Sequence, residues 1–155
     1  MRIAADLLTQ EAFAPFGTVL SVPLTPGWDR IHDAVQNLRD TAKLNLAVGL
    51  AEPKAFPLHS NKMERHRYSS QTFVPMDAES WLVMVAPDAP DGRPDMHNAR
   101  AFLANANQIV TYNKDVWHHP AIVFNRPARF TVLTWKDDSA DDVELVDVPS
   151  FEVTS

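Results

Sequence analysis

Two stretches of the chain concentrate side chains that move protons or hold ions. The first, "MERHRYSSQTFVPM" from Met63 to Met76, carries Glu64 and His66 two residues apart. On an extended strand such residues share a face, so carboxylate and imidazole emerge together while Arg65 and Arg67 emerge opposite. Gln71 follows five residues after His66. Strict alternation would turn it away, but Ser69-Ser70 permits a turn or bulge that resets the register. The second stretch, "DVWHHP" from Asp115 to Pro120, holds two adjacent histidines, His118 and His119. Neighbours on an extended chain point to opposite faces, so only one of them joins a small site unless the backbone kinks. A carboxylate, imidazoles and an amide oxygen suit proton transfer between a base and an acid. They also suit ligation of a borderline divalent ion such as Ni, Co, Zn, Mn or Fe. The plainer alternative is a Glu64–His66 hydrogen-bonded pair lining a barrel, with Gln71 a satisfied interior amide.

The elements that must position these groups are short. Twelve prolines against four glycines, spread along the chain, disfavour long helices and favour brief segments joined by stiff turns. Thr9 can cap a short helix through "QEAFAPF", which Gly17 stops. "TVLSV" (18–22) reads as a strand, whereas residues 28–43 carry no clear pattern and read as loop. From Leu44 onward the pattern is strand-like. "LNLAVGLAE" (44–52) alternates, with Gly49 predicting a bulge or a close backbone approach. "KMERHRY" (62–68) and "QTFVPM" (71–76) are short extended pieces. "SWLVMVAP" (80–87) is apolar at successive positions, as in a strand covered on both sides. Further strands are expected at 99–105, 108–113, 121–125 and 128–135, and Phe73, Trp81, Phe102 and Trp117 belong to the core. The acidic "KDDSADDVELVDV" reads mostly as a solvated loop before a last strand, and His119 as a surface or interface residue. Many short strands separated by Pro and Asn turns indicate a sandwich, jelly roll or small barrel, without choosing among them.

Composition narrows the function further. A chain of 155 residues suits one domain. The absence of cysteine removes disulfides, thiolate nucleophiles and Cys-based zinc sites, and is compatible with a reducing cytosol. Fourteen basic against twenty acidic residues give a net charge of −6 with no basic cluster, which argues against nucleic acid as partner. No apolar stretch reaches the roughly 18–20 residues needed to cross a bilayer. The N-terminus lacks a secretory pattern, so a soluble cytoplasmic protein is expected.

The spacing Glu-x-His-x4-Gln, with a later histidine, is similar to the two metal-binding motifs of the cupin superfamily, His-x-His-x(3,4)-Glu and Gly-x-x-His. In that likeness Glu64 stands at the first histidine, Gln71 at the glutamate, Asp115 at the glycine and His118 at the last histidine, which turns His119 away. A closer resemblance rests on "TQEAFAPFGTVL", "MERHRYSSQTFVPM" and "RAFLANANQIVTYNKDVWHHP". Together they resemble the ureidoglycolate lyase family, whose own forms run near E-R-H-P-L-G-S-Q-A-F-I-P and V-x-Y-H-x-G-x-W-H-H-P. The resemblance implies an all-β cupin jelly-roll barrel with a short N-terminal helix, one domain over residues 1–155, and a homodimer. It implies cleavage of ureidoglycolate to glyoxylate and urea in allantoin (purine) degradation, with a divalent metal such as nickel.

Ureidoglycolate carries a hydroxyl, a carboxylate and a urea nitrogen on one carbon, so its cleavage needs a base, an acid and an anchor for the carboxylate. The resemblance gives Glu64, His66 and His118 the catalytic positions. The same three, with Gln71, are the candidate metal ligands. Gln71 and Tyr68 are placed at the urea end, and Arg39 or Arg30 at the carboxylate. Several positions depart from the family pattern: Asn37 stands for a basic residue, Arg39 and Asn113 for histidines, and Thr134-Trp135-Lys136 for Asp-Arg-Gly. These departures keep two other readings open, a divergent cupin enzyme acting on another small hydroxy acid and a non-catalytic small-molecule-binding cupin.

Overall fold

The computed structural model describes residues 1–155, with thirteen strands and one short α-helix. In chain order these are β1 (Arg2–Leu7), α1 (Gln10–Phe13), β2 (Gly17–Ser21), β3 (Lys43–Ala51), β4 (Pro53–Lys54), β5 (Leu58–Arg65) and β6 (Gln71–Pro75). Then follow β7 (Ser80–Ala86), β8 (Arg100–Asn105), β9 (Gln108–Tyr112), β10 (Trp117–His118), β11 (Ile122–Phe124), β12 (Ala128–Lys136) and β13 (Glu144–Thr154). They form an eight-stranded sheet in the order β10-β5-β13-β1-β8-β7-β11-β4 and a five-stranded sheet in the order β2-β9-β6-β12-β3. β10 pairs with both β5 and β7 and so closes part of the larger sheet on itself. This is the all-β, cupin-like jelly roll that the sequence implies.

Alternation explains how the layers bury their side chains. Along β7, Trp81, Val83 and Val85 enter the cluster between the two sheets, where they meet Phe73, Phe102, Val110 and Phe130. Leu82, Met84 and Ala86 point the other way into a second cluster with Met63, Trp117, Phe151 and Val153. A strand sealed on both faces is apolar at every position, as "SWLVMVAP" is. Burial of each large side chain contributes about 1.5–3 kcal/mol, so β7 is the most costly strand to disturb. At the N-terminus the Thr9 hydroxyl accepts the Ala12 N–H at 3.1 Å and starts α1, whose Phe13 is fully buried. Gly17 follows because a Cβ there would overlap the Thr111 carbonyl oxygen of the adjoining strand.

Four details depart from the sequence expectations. β1 was not marked by any pattern, because Ile3 is its only buried residue. β3 runs straight through Gly49, in unbroken register with Phe130, without a bulge. The end of the acidic run is strand: β13 begins at Glu144, pairs with β5, and carries its irregularity between Asp147 and Phe151. His119 is buried, its Nδ1 donating to the Pro120 carbonyl at 2.8 Å and its Nε2 accepting from the Ser60 hydroxyl at 2.9 Å. The expectation of a surface or interface residue fails because both flanks of β10 are occupied, by β5 and β7.

Candidate active site

The two distant stretches meet through strand pairing. β10 lies antiparallel to β5 with His118 directly opposite Glu64. Their side chains therefore leave the sheet together, and His118 Nε2 lies 3.5 Å from Glu64 Oε1. His66 sits one residue past the end of β5, and its ring centroid is 5.6 Å from that of His118. Gln71 opens β6 on the facing sheet, and its Oε1 is 3.0 Å from His118 Nε2. The Ser69-Ser70 turn makes this arrangement feasible: Ser69 bridges to Asn37, and both serines are buried. Tyr112, paired with Gln71 across β9 and β6, stacks on His118 at 4.3 Å between ring centroids. Burial holds its phenol far above the ordinary range, so the ring remains a neutral wall.

Each histidine is fixed by a backbone carbonyl. His66 Nδ1 donates to the Asp142 carbonyl at 2.6 Å, and His118 Nδ1 donates to the Val116 carbonyl at 2.9 Å. Carbonyl oxygens only accept, so both rings carry a proton at Nδ1 and turn Nε2 toward the site. His66 Nε2 is buried and has no partner. His118 Nε2 meets only oxygens, from Glu64 and Gln71. The interior thus gathers lone pairs that a positive charge must satisfy, either a proton on His118 or a metal cation. The donor set fits a divalent ion: two imidazoles oriented by carbonyls and a carboxylate, with ligand atoms all within 4.8 Å of one another.

Burial alone would raise the Glu64 carboxyl, but the His118 hydrogen bond and the surrounding imidazoles of His118, His66 and His119 outweigh it and keep it below its usual value. Burial depresses His66, and the neighbouring His118 adds to this against the opposing Asp142 carbonyl and Glu64. A depressed imidazole is neutral near pH 7 and offers a free base.

The supporting shell is largely ionic. Arg65, only 4% exposed, lies 4.1 Å over the Trp117 ring and pairs with Asp88, Asp115 and Glu144. It ties the strand bearing Glu64 to the strand bearing His118. Asp115 adopts φ 65° and donates its N–H to the His66 carbonyl at 2.8 Å. Aspartate tolerates this left-handed turn better than most residues, which explains how it replaces a glycine there.

A family model described as ureidoglycolate lyase matches residues 1–154. The chain belongs to the ureidoglycolate lyase family. A ureidoglycolate lyase of Schizosaccharomyces pombe is 30% identical, the match covering 91% of this chain and 88% of that protein. One from Escherichia coli O1:K1 / APEC is also 30% identical, over 99% and 98% of the two chains. One from Shigella boydii serotype 18 shows the same identity and coverage.

Two departures from the ureidoglycolate lyase pattern, Asn37 and Arg39, lie beside a third, the Thr134-Trp135-Lys136 stretch. Asn37 and Arg39 bond each other through a tight turn. Arg39, expected at the substrate carboxylate, instead spends its guanidinium on Asp137 and Asp142, each at 2.8 Å, and on the Trp135 carbonyl at 3.1 Å. Asp142 is the residue whose carbonyl orients His66, so Arg39 reaches the site through it. Lys136 stands close enough to act on His66 electrostatically. Arg30 is exposed in the 22–42 connection and makes no side-chain bond. Tyr68 is 36% exposed, with the Arg39 guanidinium 5.9 Å over its ring. Asp142 and Tyr112 were missed from sequence. Asp142 lies in an acidic run that reads as solvated loop, and nothing in the strand pattern of 108–113 singles out Tyr112.

Proposed function

We propose that this chain cleaves ureidoglycolate to glyoxylate and urea, as a carbon–nitrogen lyase and a homodimer in the cytoplasm. The observation that carries the reading is the convergence of Glu64, His66 and His118 in a chain of the ureidoglycolate lyase family. The relatives it matches are named for this reaction. The −6 net charge and the absence of any helix long and apolar enough to cross a membrane favour a small-molecule substrate over a polyanion or a bilayer.

The reaction divides among the chain's own groups. His66 Nε2, neutral and unpartnered, takes the proton of the substrate hydroxyl. The O–H electrons form the glyoxylate carbonyl while the C–N pair leaves with the urea nitrogen. Protonated His118, paired with Glu64, returns a proton to that nitrogen, and Glu64 relays the proton from His66 back to His118. Gln71 and Tyr68 hydrogen-bond the urea end, and Lys136 faces the carboxylate. With a divalent ion such as nickel bound, Glu64, His66, His118 and the Gln71 oxygen would instead serve as its ligands, and the ion would anchor the carboxylate and acidify the hydroxyl in place of a free His66 base.

Glyoxylate release from millimolar ureidoglycolate, measured with and without added nickel, tests the reading. Release from the wild type, and its loss in folded His66→Ala and His118→Ala variants, supports it. No release under either condition refutes it.

A further inference from the structure

Beside the histidines, the inner face of the five-stranded sheet presents hydroxyls that the fold leaves unpaired. Along β12 the inward positions are Phe130, Val132, Thr134 and Lys136, of which Phe130 and Val132 pack in the core between the sheets. The β12–β6 register pairs Val132 with Phe73 and Leu133 with Thr72, so the next step sets Thr134 opposite Gln71. Opposed Cβ atoms on one face lie about 4.5–5.5 Å apart. Thr134 thus stands beside the amide that meets His118. Gln71 pairs in turn with Tyr112, and Thr134 with Asn45 of β3. Asn45, Thr134, Gln71 and Tyr112 form one polar row across β3, β12, β6 and β9, bordered by apolar Val132, Phe73 and Val110. Thr134 is 3% exposed, and its Oγ1 is buried without a hydrogen-bond partner, as is the Tyr112 hydroxyl. Buried hydroxyls are ordinarily paired, so one left open on a site wall points to a group that arrives with the substrate.

We propose that the Thr134 hydroxyl binds the ureido oxygen of the substrate and donates its hydrogen bond there as the C–N bond breaks. This role rests on the lyase reading above and deepens it by one residue. When the C–N bond breaks, its electron pair goes to the urea nitrogen and is shared with the adjoining carbonyl oxygen. That oxygen stays more negative until the nitrogen is protonated. A neutral hydroxyl fixed in a buried wall stabilises this developing charge more than it stabilises the ground state. Its place suits that end of the substrate. Thr134 lies opposite Gln71, assigned to the urea end, and on the same strand face as Lys136, assigned to the carboxylate. The family pattern has an aspartate here, and an ionised carboxylate only accepts, so this donor belongs to the present chain rather than to the pattern.

Steady-state glyoxylate release from ureidoglycolate separates this role from packing. Thr134→Val keeps the branched shape and removes only the hydroxyl. Its kcat should fall by about 10²–10³, the usual loss of one donor at a developing charge, with KM nearly unchanged. Its Tm should not fall, because the lost hydroxyl leaves no partner unsatisfied. Thr134→Ser, which keeps the donor, should regain most of the lost kcat. An active wild type whose Thr134→Val variant keeps kcat within about threefold, or whose loss Thr134→Ser fails to restore, overturns the role of Thr134 and leaves the lyase reading standing. So does a Thr134→Val variant that loses kcat and Tm together. A wild type that releases no glyoxylate overturns both.

Discussion

Arg39→Met should reach the active site through the Asp142 carbonyl. The native guanidinium forks between Asp137 and Asp142, with side chains of Arg39 and Asp142 only 10% and 9% exposed. Breaking one partner out of a buried pair costs about 3–5 kcal/mol. Here Asp142 keeps two backbone donors, the N–H groups of Asp137 and Asp138, each at 3.0 Å. Its charge is thus not wholly abandoned, and the lower end, about 3 kcal/mol, applies. For a chain of this size that is a fall in Tm of about 6–12 °C. The same change frees the loop whose carbonyl holds His66 Nδ1, so the ring should lose its single tautomer. Thermal unfolding gives the first number, and nitrogen-15 shifts of the imidazole ring give the second. Arg39→Lys should recover less than half of the loss, because an ammonium does not fork across two carboxylates. A Tm fall below about 2 °C would mean the pair behaves as a screened surface contact. A large fall with the His66 ring unchanged would sever the argued link between Arg39 and the site.

Three further outcomes are expected. Glu64→Gln should fold normally yet lower kcat by about 10²–10⁴, the usual weight of a proton-transfer group, in a glyoxylate assay. Gly17→Ala should cost about 1–3 kcal/mol in a urea titration, because the new Cβ overlaps the Thr111 carbonyl and backbone rather than side chain must yield. Bonds from Ser139 and Thr41 hold the Asp137 carboxyl down at about 2 against an ordinary 3.8. The stability it contributes should be complete above pH 3.8 and disappear as pH falls through about 2. Asp137→Asn should flatten that part of the acid unfolding profile.

The sequence spoke most clearly where one strand face governs the pattern. β7 announced its two buried faces because no polar residue interrupts Trp81 to Ala86. Glu64 and His66 were legible as a pair because spacing of two is the period of a strand. That His118 faces them was not in the spacing, since His119 beside it has the same chemistry; the pairing of β10 with β5 decides it. Asp142 was illegible because it acts through its carbonyl, which every residue has. Arg39 misled because a guanidinium suits a substrate carboxylate and a protein carboxylate equally, and only folding brings Asp137 and Asp142 within its reach.

β10 is only two residues long and is gripped on both flanks. A slip of one position there would swap His118 for His119, sending the first toward Ser60 and the second toward Gln71. The tract from Asp115 to Pro120 therefore has no room to lengthen or shorten. An insertion or deletion in those six codons would exchange the working imidazole for its twin.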